Sequence, residues 1–303
     1  MSDSDAMTVF DRALVRRRRD RAAPGFHGHS FLVEEVAERL VDRLHDVRQG
    51  FTTALDLGCH RGELGRRLLA AGKGVETLAS CDLSERMARH APGLRLAADE
   101  EALPFAPGSF DLVVSALSLH WVNDLPGALI QLRRALRPDG LFVGAMLGGE
   151  TLFELRRCLM EAELEIRGGV SPRVSPFAEL RDAGSLLQRA GFALPVVDGD
   201  EITVTYENAF RLMAELRGMG ETNAGLNRPR TPATRGLLTA AAQRYAELHA
   251  APDGRIEATF QVVWMLGWTP HESQQKPLAR GSAQHSLAQT LGTLEGKPPA
   301  GSA

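Results

Sequence analysis

Four acidic side chains fall just behind short apolar runs. Asp56 lies in Thr53-Ala54-Leu55-Asp56-Leu57-Gly58-Cys59-His60-Arg61-Gly62, Asp82 in Cys81-Asp82-Leu83-Ser84, and Asp99 and Glu100 follow Leu94-Arg95-Leu96-Ala97. A carboxylate can hold a cation, accept from a ribose diol or accept from an adenine amino group, so the set reads as parts of one nucleoside site. The first run says most. An apolar strand enters Asp56, then a glycine turn, then a helix with Leu64, Leu68 and Leu69 along one side. Gly58 permits a turn that a Cβ would obstruct, and Gly62 lets the helix approach the strand. The helix start offers free amides and the positive end of the dipole. Strand, turn and helix together open a βαβ unit, where doubly wound proteins hold nucleotides.

The spacing Gly58-x-x-x-Gly62-x-x-Gly65 departs from the G-x-G-x-x-G of dinucleotide sites. A carboxylate two residues ahead of the first glycine is unfavourable beside a pyrophosphate and favourable beside an ammonium or a sulfonium. S-adenosylmethionine carries both, and the loop predicts that cofactor; a glycine-rich βα turn of an unrelated α/β protein is the alternative. Asp82 follows the turn at close to the ~20-residue offset of a carboxylate on a ribose, a role compatible with capping of the next helix by Ser84. Asp99-Glu100 suits an adenine amino group with Leu103 and Phe105 as apolar cover, or is exposed loop charge. Cys59, Leu83 and Ser115 are expected to line the same site.

His120, in Ser115-Ala116-Leu117-Ser118-Leu119-His120-Trp121, follows an apolar strand at the edge where such sheets place ligands. It is the candidate general base, with a structural histidine bonded to a backbone carbonyl as the equal alternative. Trp121 reads as packing, and Glu150 as a pocket residue or a cap. The run Arg16-Arg17-Arg18-Arg19 reads first as a solvated helix face; the sharper reading is a helix over the cofactor mouth.

The elements that must position these residues alternate. Strands are expected at 53–57, 75–81, 94–97, 109–115 and 141–146, with helices at 31–47, 84–90 and 125–136 among them. Five repeats of β and α in about a hundred residues make a parallel doubly wound sheet. Helices at 151–166 and 177–190, a strand at 195–206, helices at 207–218 and 232–249 and a strand at 256–268 follow. We divide the chain into an N-terminal helical segment (1–48), a core (49–206 with 250–268), a helical insert (207–249) and an irregular tail (269–303). The insert resembles a lid, on which Arg217, Asn223, Arg228 and Arg230 are either contacts for an acidic group or surface charges.

Composition bounds the rest. The chain has 303 residues, a formal charge of −3 and three cysteines. That charge argues against nucleic acid as a partner. The cysteines have no metal-ligand spacing and form no disulfide framework, no apolar run is long enough to span a membrane, and the acidic start lacks a signal core; a cytoplasmic protein without an integral membrane segment is expected.

Asp56-Leu57-Gly58, Asp82, Asp99-Glu100 and Arg137-Pro138-Asp139-Gly140 occur in the order and spacing of class I S-adenosylmethionine-dependent methyltransferases, which the chain resembles over residues 50–145. The resemblance implies a Rossmann-like α/β sheet of seven strands, mostly parallel with an antiparallel last strand, and S-adenosyl-L-methionine as cofactor. A narrower likeness carries Phe10-Asp11-Arg12, Ser118-Leu119-His120-Trp121, Gly148-Gly149-Glu150-Thr151-Leu152, Leu216-Arg217-Gly218-Met219-Gly220-Glu221-Thr222-Asn223 and Gly267-Trp268. These resemble the methyltransferase-like assembly factors of respiratory complex I; the methyltransferase of malonyl-acyl carrier protein is similar over the core. The resemblance implies methyl transfer to an acyl or protein-borne acceptor or, alternatively, arginine hydroxylation or assembly of NADH:quinone oxidoreductase, with a complex I subunit or acyl carrier protein as partner. His60 stands where the family's D-x-G-C-G-x-G has a glycine, and its side chain is expected to crowd the methionine end of the cofactor.

Overall fold

In a computed structural model the structure describes residues 8–274. The chain divides into two compact units, Met1–His271 and Glu272–Ala303, and all that follows concerns the first. Most of the predicted tail, from 275 on, lies outside the described residues.

Helices α1 (Arg12–Ala22) and α2 (Phe31–His45) precede β1 (Thr53–Leu57), α3 (Glu63–Ala70), β2 (Thr77–Asp82), α4 (Glu85–Ala88), β3 (Leu94–Ala97), β4 (Phe110–Ala116), α5 (Leu125–Ala135) and β5 (Leu136–Leu147). Then come α6 (Phe153–Arg167), α7 (Leu180–Arg189), β6 (Ala193–Tyr206), α8 (Ala209–Met219), α9 (Arg235–Leu248) and β7 (Ile256–Trp268). The seven strands form one sheet in the order β3-β2-β1-β4-β5-β7-β6. Neighbours from β3 to β5 are parallel, and β7 runs antiparallel to both β5 and β6. Burial on both faces explains the near-continuous apolar runs of β4 and β5. Along β4, Leu112 and Val114 enter one core cluster and Val113 the other, as alternation across a strand requires.

Five helices start where a side chain caps them: Asp11 accepts from the Leu14 amide, Ser84 from Met87, Asp124 from Gly127, Asn208 from Phe210 and Arg211, and Thr234 from Leu237. The helix expected over 84–90 is shorter, ending at Ala88 before Ala91-Pro92. The insert differs from a free lid. Leu212, Leu216, Met219, Leu237, Ala241 and Tyr245 are buried in the main core, and α9 packs on α6. From the link after α8, Glu221 reaches His120 and Trp121 beyond the end of β4. Registry aligns the carboxyl ends: Leu57 pairs with Cys81, Asp82 with Ala97, and Asp56 with both Ser80 and Val114.

Candidate functional site

The turn after β1 is built as its glycines require. Gly58 has φ 66°, and a Cβ there would come within 2.1 Å of the Ser118 side chain. Gly62 has φ 90°, and its Cβ would meet Pro92 and Ala91. The amides of this turn are engaged: Cys59 donates to the Cys81 carbonyl, His60 to Asp82, Arg61 to Glu63, and Gly62 to the Cys59 carbonyl. Asp56 points beneath the turn. A Cβ on Gly65 would lie 2.9 Å from its Oδ2, and its carboxylate lacks a well-formed hydrogen bond among the described residues. Burial lifts the Asp56 carboxyl to about 8; Glu63 adds to this and the Gly65 amide only partly opposes it.

Two more acids close the edge, and both are fully buried. Asp82 Oδ1 accepts from the Ser84 amide at 2.7 Å, and Oδ2 from the His60 amide at 3.1 Å. Glu100 accepts from the Ser118 hydroxyl. Their counter-charges come from α1. Arg19 Nη1 stands 3.3 Å from Asp82 Oδ2 and 3.6 Å from Glu100 Oε1, and its Nη2 donates to Ser118 Oγ at 3.3 Å. Arg12 pairs with Glu100 and, at 2.6 Å, with Asp99. Burial by itself would raise the Glu100 carboxyl, yet Arg12, Arg19 and Ser118 hold it below the usual range. Burial likewise opposes the charge on Arg19, but Asp82, Glu100 and Glu221 push its pKa up, so it stays a cation.

Beside this cleft lies a second polar cluster. His120 sits in a 3-10 turn after β4, and its Nε2 is 3.0 Å from Glu221 Oε2; the Trp121 indole N–H donates to the same oxygen at 2.8 Å. Burial opposes ionisation of Glu221, and His120, Arg19 and His60 together outweigh it, so its pKa falls. His60 has φ 48° and stacks on Phe26, with centroids 5.5 Å apart; its Nε2 is 3.1 Å from the Ala116 carbonyl. Phe26, His60, Phe177 and Glu221 are among the walls of a small cavity of about 20 Å³. Phe177 also lines an open cleft of about 510 Å³ with Leu159, Met160, Arg173, Asn223 and Arg228. Among the described residues no group of three or more His, Cys, Asp and Glu is arranged to hold a metal ion.

Residues 55–144 match the family described as methyltransferase domain. Arginine-hydroxylase NDUFAF5, mitochondrial, of Mus musculus is 47% identical over 94% of this chain and 84% of its own length. Malonyl-[acyl-carrier protein] O-methyltransferase of Halorhodospira halophila (strain DSM 244 / SL1) is 39% identical over 90% and 94%. The chain belongs to the class I S-adenosylmethionine-dependent methyltransferases. Within that family it is related to the NDUFAF5 proteins. The YcgJ protein of Bacillus subtilis shares the fold, with a TM-score of 0.52 at 16% identity over 77% of this chain and 99% of that one.

The cofactor of this methyltransferase family is S-adenosyl-L-methionine, and the residues suit it in kind. Buried carboxylates close β2 and follow β3, positive-φ glycines shape the turn after β1, and Ser115 at the end of β4 has a buried hydroxyl without a partner among the described residues. The fit has one condition: the space between Asp82 and Glu100 holds the Arg19 guanidinium.

Asp56, Gly58, Cys59 and Gly62 share the first turn; Asp82, Asp99 and Glu100 converge on α1; Leu83 packs with Phe10, Val15 and Trp121. Cys59 and Cys81 are buried free thiols, and burial pushes both pKa values up. Of the two readings of His120, the backbone-carbonyl bond is not what the structure has: the partner is Glu221. That carboxylate, Ser118 and Arg19 were not singled out as site residues from the sequence. Of the two readings of the arginine run, the solvated face describes Arg16 and Arg17, which are exposed, whereas Arg19 is 1% exposed and faces Asp82 and Glu100, as in a helix lying over that edge. The signal was present, because Arg12, Val15, Arg19 and Ala22 share one helical face.

Proposed function

We propose that this methyltransferase-family protein modifies an arginine carried by another protein, with S-adenosyl-L-methionine held across the ends of β1, β2 and β3. The reading rests on one observation: the likeness to a protein named an arginine-hydroxylase, at 47% identity, runs through 94% of this chain. At that coverage it includes the 207–249 insert, which supplies Glu221. A subunit of NADH:quinone oxidoreductase is the protein partner this reading names.

The bound cofactor supplies a nucleoside anchor and an electrophilic methyl group. The chain's own residues do the rest. Asp82, Asp99 and Glu100 bind its polar edges, while Asp56, Gly58, Cys59, Gly62, Leu83 and Ser115 shape the floor. With Nε2 turned to Glu221, His120 keeps Nδ1 as the atom that takes a proton from the acceptor, and Glu221 stabilises the imidazolium so formed. Phe177 packs against His120 with ring centroids 5.8 Å apart and faces the open cleft, which gives an acceptor chain its approach. Hydroxylation of arginine also requires dioxygen and a two-electron donor, whereas methylation requires the cofactor alone.

A second reading, methyl transfer to an acyl group on a carrier protein, is favoured by the O-methyltransferase relative and by the apolar walls of the cleft. The experiment is mass spectrometry of the candidate subunit and of malonyl-carrier protein after aerobic incubation with this protein, labelled cofactor and an added two-electron donor. The expected result is a gain of one oxygen on a subunit arginine. A gain of one methyl there gives the family reaction on the same acceptor, and label on the carrier protein overturns the arginine reading.

A further inference from the structure

Three segments wall a groove that leads away from His120. Phe177 packs against His120 and lines the open cleft of about 510 Å³, and a second cleft of about 750 Å³ shares Arg173, Asn223 and Arg228 with it. The walls are the stretch 9–18, the loop 170–179 and the link 222–233. Asn223 ties the link to the loop: its Nδ2 donates to the Pro172 carbonyl at 2.8 Å, and its Oδ1 accepts from Ser175 Oγ at 3.1 Å. The link is tied in turn to the first stretch. The Leu226 amide donates to the Val9 carbonyl at 2.8 Å, and Arg18 donates to the Thr222 carbonyl at 2.6 Å. The chain's own bonds thus hold the groove in shape, which lowers the ordering cost of binding there.

Exposed apolar groups and arginines line this groove. Met160 and Val170 in the first cleft and Leu226 in the second are exposed. Arg156, Arg173 and Arg228 line the first cleft, and Arg18 and Arg230 join the last two in the second. Against them stand Glu179, Asp11, which pairs with Arg228, and Glu163, which pairs with Arg173. Arg156 donates to the carbonyls of Gly149 and Thr151, and exposed Arg230 has no ion pair among the described residues. Positive charge is therefore in excess here, in a chain whose formal charge is −3. Burial lowers the pKa of Arg18, and Arg228, Arg21 and Arg17 lower it further, as crowded cations do. The sign changes toward His120, where Glu221 lies.

We propose that the groove holds an acidic stretch of the acceptor protein, adjacent in sequence to the side chain presented to His120. This rests on the arginine reading above for what lies at the inner end. An acceptor arginine toward His120 and Glu221, with carboxylates toward Arg18 and Arg230, makes one segment complementary to the groove along its length. Apolar side chains of that segment meet Met160 and Val170. The groove then selects the acceptor arginine by its neighbours, and charges open to solvent contribute to encounter and selection more than to raw affinity.

The test is fluorescence anisotropy of the full chain with a labelled synthetic peptide that carries one central arginine between glutamates, against the same peptide with glutamines in their place. The glutamate peptide is expected to bind about tenfold tighter at low salt, with the preference shrinking as salt screens exposed charge. Arg230→Glu removes no ion pair and is expected to cut that preference about fivefold, while the glutamine peptide binds as before. Equal binding of the two peptides, or binding of neither, overturns the proposal, as does a preference that Arg230→Glu leaves intact. A third peptide, with glutamine for the central arginine, separates the proposal from the reading beneath it. If that peptide binds as well as the glutamate peptide, the arginine reading falls and the acid-binding groove stands. Displacement of the glutamate peptide by malonyl-carrier protein, at a concentration below that of unlabelled peptide, gives the groove to the carrier and overturns the proposal.

Discussion

Two regions meet at the candidate site, and they are built on different terms. The carboxyl edge of β1, β2 and β3 is made of short-range parts: a turn shaped by positive-φ glycines, a carboxylate at a strand end, a serine cap two residues on. The strap over it, α1 with the 220–228 link, is made of long-range ones. Arg19 reaches Asp82 across 63 positions of sequence, Arg12 reaches Glu100 across 88, and Glu221 reaches His120 across 101. The edge supplies negative charge in a buried place, and the strap supplies the charge that makes it tolerable. Neither is stable in this form without the other.

Removing the acid shared by both regions breaks the contrast most. Glu100 faces Arg12 and Arg19 at once. Glu100→Ala leaves Asp82 as the carboxylate paired with Arg19 and takes away the acceptor of the Ser118 hydroxyl proton. The expected loss is about 3–5 kcal/mol of unfolding free energy, read as a lowered urea midpoint. A loss below about 1 kcal/mol is the range of an exposed ion pair and would mean that the strap is held by its apolar contacts.

Asp56 sharpens the comparison from the other side, because the strap does not reach it. Its folded pKa is raised to about 8 from the ordinary carboxyl value of 3.8. Between those values the folded state keeps a proton that the unfolded state releases. Stability is thus full at low pH and falls as pH rises through this window. The Asp56 contribution is expected to decline by about 2 kcal/mol from about pH 6 to about pH 7.5. Asp56→Asn should abolish that decline, so the two urea midpoints diverge with increasing pH. Parallel curves would mean that Asp56 is ionised in the folded protein.

What the sequence disclosed follows the same division. The alternating β and α pattern and the acids at the edge were legible because each rests on nearby residues: Gly58 and Gly62 on local φ, Ser84 on a cap, β4 on burial; the antiparallel last strand, which pairs Leu141 with Trp268, came only from the family resemblance. The direction of Asp56 was not legible, since a strand-end carboxylate can face the ligand or the helix behind it, and here Gly65 leaves room behind. Glu221 was quoted only as part of a likeness; nothing local tells a carboxylate in a glycine-containing link that it will meet an imidazole. In the arginine run charge favours a solvated face and periodicity a helix lying on the edge, and at Arg19 periodicity prevails. Position 19 follows Val15 by four and precedes Ala22 by three, which is a buried stripe whatever charge it carries.

That run also contains its own control. Arg16 and Arg17 stand beside Arg19 in sequence and are exposed, with no ion pair among the described residues. Their helix loses little propensity when arginine becomes alanine, since alanine is the better helix former by a few tenths of a kcal/mol. Arg17 crowds Arg18, whose pKa is lowered first by burial and then by Arg228, Arg21 and Arg17. Removing a crowding charge offsets whatever small interaction is lost. Arg16→Ala and Arg17→Ala are therefore expected to change stability by no more than about 0.5 kcal/mol, with Arg17→Ala the more favourable. Equal and large losses from Arg16, Arg17 and Arg19 in the same urea series would make the run a collective charge and remove the special place given to Arg19.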